Sequence, residues 1–218
     1  MGKFFNIDSP LMRFLTKLAD LMILNILFLI TCMPVVTIGA AWTALYYVAM
    51  KMVRDEEGGI VRSYFHAFRL NFRQATLLWL GVLGIAVILV LDLLILARID
   101  SPIAAAMNMG IGIIAILIFL VLQYLFPLLA RFEAGTVQTL KNAVLLTVGQ
   151  LPRTLLMGFS TAGILVITFY NGYTLSIGIL LWMLLGFAIM AFSNSSILVK
   201  IFDKLVSETG EQSVGDNS

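Results

Sequence analysis

The chain has 218 residues, of which 61% are hydrophobic and 12% are charged, with a formal net charge of +2. A soluble domain usually carries about 25% charged residues, so this composition excludes a water-soluble globular protein. One cysteine and one histidine are too few for an internal disulfide or for a zinc site built from such ligands. With no Gly-rich phosphate loop or dinucleotide fingerprint in the sequence, we predict neither a metal nor a cofactor.

Long runs without charge predict membrane-spanning helices. Apolar runs of about 18 or more residues are typical of transmembrane helices, because in lipid every backbone polar group needs an internal partner. We predict an all-α, polytopic helical membrane protein with five to six transmembrane helices in a single integral domain over 1–206. The polar tail over 207–218 is predicted to be disordered. The predicted spans are 20–33, 36–50, 76–97, 103–130, 154–170 and 174–199.

The uncharged run at residues 21–50 is long for one span and short for two. Since Lys and Arg favour the cytoplasmic side, a chain that turns back at Met33–Pro34 leaves only Arg98 of the 14 basic residues outside. Pro34 favours a break there, and Thr37 is a candidate cap for the second helix. Arms of about 15 residues reach only ~22 Å, so the hairpin either spans a thinned bilayer or re-enters. A single kinked crossing is the alternative; the hairpin places both termini in the cytoplasm.

Amphipathic segments precede the predicted hairpins. In residues 60–73, aromatic side chains including Tyr64 recur at helical spacing, with arginines on the opposite face. This pattern is typical of an interfacial helix with its aromatic side chains in lipid. Similar segments at 3–18 and 136–149 suggest a repeated unit of cytoplasmic interfacial helix plus hairpin. The predicted membrane-interface residues are Arg62, Phe65, Phe68, Arg69 and Arg73.

Asp92 is the acid that lies well inside a predicted span. A carboxylate in a membrane is costly and usually faces a cavity or a partner, so Asp92 is a candidate substrate-binding residue. It also lies about five residues from the outer end of the span, where a carboxylate reaches the interface without any functional role. Asn194 and Ser195, near the inner end of the last span, are further candidates for substrate binding. Packing between helices is the other interpretation of this pair.

The segment 133–152 is similar to the coupling loop of ABC importer permeases. Glu133-Ala134 precedes Leu151-Pro152, with 18 positions from Glu133 to Leu151, but the Asp-Gly pair of that loop is absent. These four residues are candidates for docking a partner. No nucleophile–base pair is visible, so an enzyme is not predicted. Nucleic acid is not predicted as a partner either, because lipid better explains the aromatic face of 60–73.

Three motifs resemble the YesL family of bacterial membrane proteins. The most specific is MPVVTIGAA at 33–41 followed by TALYY at 43–47; the others are FxxFxxNFRQ at 65–74 and YLFPLLARF at 124–132. The resemblance implies a multi-pass protein of the bacterial cytoplasmic membrane whose domain has no known function. It also implies a gene encoded beside carbohydrate ABC importers, extracellular sugar-degrading enzymes and sensor kinases. No catalytic residues are established for the family.

We therefore expect a non-enzymatic accessory protein of carbohydrate uptake or sensing. Its expected partners are the lipid bilayer and either the permease or ATPase of a sugar ABC importer or a sensor kinase. The alternative is a transporter subunit with its own substrate pathway and an ATPase-coupling loop at 133–152.

Overall fold

A computed structural model describes residues 10–56, 58–99 and 101–215, with side chains at 11–56, 58–99 and 101–207. These residues form helices and no strand. The helices are α1 (Pro10–Cys32), a 3₁₀ turn (Val35–Thr37), α2 (Ile38–Val53), α3 (Ile60–Leu96), α4 (Pro102–Arg131), α5 (Thr136–Gly149), α6 (Leu151–Phe169), α7 (Gly172–Leu181), a π-helical turn (Trp182–Gly186) and α8 (Phe187–Gly215).

The described part of the chain contains six stretches that are long and apolar enough to cross a membrane. This confirms the predicted polytopic helical fold. The 46 residues at 154–199 carry no charge and contain two of the predicted spans. They divide at Asn171, whose side chain accepts a hydrogen bond from the Thr174 amide and caps α7. The six stretches are Leu11–Cys32, Val35–Val53, Ile60–Leu96, Pro102–Arg131, Leu151–Phe169 and Gly172–Ser207.

The chain turns back at Met33–Pro34, and the arms of this hairpin are longer than expected. α1 begins at Pro10 and α2 ends at Val53, so the 23 residues of α1 alone reach about 34 Å. The prediction failed because the arms were measured from the charged residues, although charged side chains are tolerated in the first turns of a helix near the interface. Thr37 does not cap α2 with its side chain. Its hydroxyl instead donates to the carbonyl of Pro34 at 2.8 Å and closes the turn.

The predicted interfacial helix at 60–73 is not a separate element, because it continues into the following span as the 37-residue α3. Residues 71–74 contain neither proline nor glycine, so nothing there interrupts the backbone hydrogen bonds. Residues 10–18 of the N-terminal segment likewise belong to α1, and 3–9 lie outside the described residues, whereas α5 is separate from α6. The three predicted units therefore differ in structure. The predicted disorder of the tail stays a prediction: the backbone is helical to Gly215, and 216–218 lie outside the described residues.

α2 is the central helix of the bundle. Ala40, Ala41 and Ala44 are fully buried, and small residues let neighbouring helices approach closely. At Gly39 the contact with α3 is so close that a Cβ atom would lie 2.6 Å from the Cβ of Trp79. The indole of Trp79 donates to the carbonyl of Val35 at 2.8 Å. The tip of the α1–α2 hairpin therefore meets α3 near its midpoint.

Ion pairs join helix ends that are distant in sequence. Lys17 of α1 pairs with Asp55, just after α2, at 2.8 Å. Asp203 of α8 pairs with Arg54 and, at 3.8 Å, with Arg131 at the end of α4. The start of α1 and the ends of α2, α4 and α8 thus meet at one end of the bundle, as alternating crossings require. We call this end, defined by these five residues, the basic end.

Candidate functional site

A cluster of neutral polar side chains lies where four helices meet inside the bundle. The Asn194 amide of α8 donates to the Tyr46 hydroxyl of α2 at 3.5 Å and to the Thr161 hydroxyl of α6 at 3.4 Å. The Gln123 amide of α4 donates to the same Thr161 oxygen at 3.3 Å. All four side chains are buried. Because no member carries a charge, this polar cluster is suited to joining helices by hydrogen bonds rather than to moving protons.

The predicted substrate-binding residues lie in different surroundings. Asn194 belongs to the polar cluster, and the adjacent Ser195 is buried with no hydrogen-bond partner for its hydroxyl among the described residues. Asp92 lies exposed on α3. No hydrogen bond or ion pair within the described residues joins Asp92 to either of the others. A role of any of them in substrate binding stays a prediction.

Asn25 makes three side-chain hydrogen bonds to the backbone of the α7–α8 region in the apolar interior, and sequence reasoning missed this role. Its amide nitrogen donates to the carbonyls of Trp182 and Met183 at 3.0 and 2.8 Å, and its oxygen accepts from the Ala188 amide at 3.1 Å. A π-helical turn widens the backbone and leaves carbonyl and amide groups without their usual partners. Asn25 satisfies three of them. A lone amide side chain within an uncharged run is the sequence feature that could have indicated this role of Asn25.

The predicted docking residues flank α5 at the basic end. The backbone carbonyl of Ala134 accepts a hydrogen bond of 2.7 Å from the side chain of Gln74 in α3. This contact holds the link before α5 against the bundle. Glu133 stays exposed, and Leu151 and Pro152 are exposed at the start of α6. Both ends of α5 are therefore accessible.

The predicted interface residues of α3 have mixed surroundings. Arg62, Arg69 and Arg73 are exposed, as is Phe65, whereas Phe68 is half-buried. Tyr64 does not face lipid, contrary to the prediction, because its hydroxyl lies 2.6 Å from that of Thr31 inside the bundle. Periodicity could not separate the two environments, since lipid and a neighbouring helix are equally apolar.

The ion pair between Lys17 and Asp55 at the basic end is exposed. The Lys17 ammonium donates to the Asp55 carboxylate and thereby lowers the pKa of that carboxyl. Solvent and salt screen exposed pairs of this kind, so this pair is not a major contributor to stability. Among the described residues no group of three His, Cys, Asp or Glu side chains is placed to hold a metal ion.

Comparisons with known proteins agree with the motifs. Residues 21–93 match the family model described as "Protein of unknown function, DUF624". The chain is 28% identical over 156 residues to "Uncharacterized protein YesL" of Bacillus subtilis (strain 168), a match that covers 71% of this chain and 73% of the relative. No solved structure shows a significant match. The family match and this relative agree with the three sequence motifs, and the chain is therefore similar to YesL-family proteins, whose function is not known.

Proposed function

We propose that this protein is a non-enzymatic accessory component of carbohydrate uptake or sensing, and that it works by docking on a membrane-bound partner at its basic end. The proposal takes its carbohydrate context from what the family resemblance implies. The expected partners are the permease or ATPase of a sugar ABC importer, or a sensor kinase. The bilayer is the medium in which docking occurs.

The observation that carries the proposal is the outward face of α5. Thr139, Ala143 and Thr147 of this helix are buried against the bundle. On the other side, Val137 and Leu145 are each 68% exposed. A helix that shows large apolar side chains on its outer face needs lipid or a partner protein to cover them. We call this the α5 face; its members are Val137, Leu140, Val144, Leu145 and Val148.

The α5 face is held rigidly, which favours a protein partner. One end of α5 is fixed by the bond from Gln74 to the carbonyl of Ala134. At the other end, the Thr154 hydroxyl donates to the carbonyl of Thr147 at 3.1 Å. A helix fixed at both ends loses little conformational freedom when it docks, so more of the contact energy appears as affinity. The 14 residues of α5 present a platform about 21 Å long.

Site-specific photocrosslinking in native membranes tests the proposal. A photoreactive residue at Leu145 should give a defined crosslinked product containing a sugar importer subunit or a sensor kinase. The matched control is Leu94, a leucine of similar exposure on the apolar part of α3, where only lipid products are expected. If both positions give lipid products alone in cells that use the carbohydrate, the docking role is wrong.

The alternative, a transporter subunit with its own pathway, gives a different result. It predicts that Asp92→Asn abolishes uptake at an unchanged protein level, because a carboxylate in the pathway would bind substrate or a coupling ion. The accessory role predicts unchanged uptake, since the Asp92 side chain is exposed and makes no ion pair with the described residues. Purified protein that transports a sugar alone would refute the accessory role.

A further inference from the structure

An open groove of about 1110 Å³ lies between the end of α2 and the start of α3. Its polar lining contains three cations, Lys51 from α2 and Arg62 and Arg69 from α3, and the imidazole of His66 lies on the turn between the two arginines. No carboxylate lines the groove within the described part of the chain. We call it the cationic groove. It is distinct from the polar cluster and from the α5 face.

No carboxylate of the described residues forms an ion pair with the three cations of this groove. The ion pairs between described residues use Lys17, Arg54 and Arg131, so Lys51, Arg62 and Arg69 have no carboxylate partner among those residues. Three positive charges close together repel each other, and an anion between them removes that repulsion. Arginine is suited to this task, because its planar donors match the oxygens of a phosphate.

The backbone at the mouth of the groove also favours binding of an anion. Gly58 and Gly59 precede α3 without side chains, and the start of α3 has no side-chain cap. A Cβ atom at Gly58 would lie 3.4 Å from both the Lys51 ammonium and the Ser63 hydroxyl. These two donors are therefore close to each other and to the uncapped amides of the first turn. Such amides favour an anion, and here they supplement the cationic side chains.

The groove also has an apolar side. Val61, Phe65 and Leu70 line it and are exposed, by 49%, 38% and 63% respectively. A soluble phosphate would leave these side chains uncovered, whereas the glycerol and acyl portion of a lipid would cover them. We propose that the cationic groove binds a phosphate ester, and that its source is the headgroup of an anionic phospholipid.

Lipid selectivity of the full-length protein in detergent tests this site. Native mass spectrometry compares retention of phosphatidylglycerol with that of phosphatidylcholine carrying the same acyl chains. Wild type should retain phosphatidylglycerol preferentially. Each lost charge near a membrane surface weakens anionic-lipid binding by about fivefold, so Arg62→Gln/Arg69→Gln should reduce the preference roughly 25-fold. The charge-conserving pair Arg62→Lys/Arg69→Lys should retain most of it.

The control pair Lys141→Gln/Lys200→Gln removes the same net charge from exposed positions outside the groove. It should leave the preference within about twofold, because screening weakens distant charges. Equal retention of both lipids by wild type, or the same loss in the control pair, would overturn the site.

Glycerol 3-phosphate distinguishes the two sources of a phosphate ester. If it fails to displace phosphatidylglycerol at millimolar concentration, the ligand is the lipid. If it displaces the lipid, and binds lipid-free wild type but not Arg62→Gln/Arg69→Gln, the groove still binds phosphate esters but from the soluble pool. The phospholipid assignment is then wrong.

Discussion

Replacing Asn25 by leucine tests how the π-helical turn is stabilised. Leucine has the same branching and number of side-chain heavy atoms, so the change removes polar contacts with little change in shape. The variant loses two donated hydrogen bonds, to Trp182 and Met183, and one accepted from Ala188. All three backbone groups then lie in an apolar interior without this partner.

The expected loss follows from the number of bonds. Hydrogen bonds between membrane helices contribute ~0.6 kcal/mol on average and at most ~1.7 kcal/mol. Three of them give a destabilisation of roughly 2–5 kcal/mol. Reversion of the turn to a regular α-helix does not avoid this loss. A π turn contains one residue more than a regular helical turn. Removing this extra residue from the turn would rotate α8 by about 100°, because each helical residue turns the chain by that angle. The rotation would break the contact between Asn194 of α8 and Tyr46.

Reversible unfolding in mixed micelles, followed by tryptophan fluorescence, measures this loss. Asn108→Leu is the matched control, because the Asn108 side-chain oxygen is buried without a partner among the described residues. Removing an unsatisfied polar atom should be neutral or stabilising. If Asn25→Leu and Asn108→Leu differ by less than about 0.5 kcal/mol, a value below the mean for a single such bond, Asn25 does not stabilise the turn.

Two further predictions concern packing and pH. Gly39→Ala should destabilise the protein by about 1–3 kcal/mol through overpacking, since the new Cβ would lie 2.6 Å from that of Trp79. The control is Gly81→Ala, because a Cβ atom at Gly81 would have no atom within 4 Å. This change should leave the midpoint of thermal unfolding unchanged or raise it. If both changes shift the midpoint equally, the close contact at Gly39 is contradicted. The pair with Lys17 lowers the pKa of Asp55 in the folded state, so the pair stabilises the fold at pH values above the ordinary carboxyl pKa of 3.8. This stabilisation is lost as the pH falls through the pKa that Asp55 has in the folded state. Lys17→Met should therefore flatten the acid limb of a low-salt stability–pH curve; an unchanged acid limb would show that the pair does not form.

Charge and composition predicted the fold well, for physical reasons. Basic residues stay on one side of a bilayer, so counting them predicted the turn at Met33–Pro34 and the alternation of the later helices. The meeting of Lys17 with Asp55, and of Arg54 with Asp203, agrees with that count. The continuity of α3 was missed because a change in side-chain pattern does not interrupt backbone hydrogen bonds.

The interior of the site was less predictable. Asn194 was predicted to bind substrate or to pack between helices; its side chain is buried, and its partner Tyr46 lies 148 positions away in the chain. Periodicity within one segment contains no information on such a pairing. The inward orientation of Tyr64 was missed for a related reason: without a water-facing side, a hydrophobic pattern does not indicate which face meets protein.

The contact between Trp79 and Val35 has a consequence for the shape of the molecule. The α1–α2 hairpin ends at this level, whereas residues 80–96 of α3 continue for about 25 Å. α3 therefore extends past the hairpin tip, together with the start of α4 that packs on its end, so the cross-section beyond the tip contains fewer helices than the cross-section near the basic end. A wedge of this kind displaces more lipid from one leaflet than from the other. We expect its insertion to bend the surrounding bilayer and to couple the local density of the protein to membrane curvature.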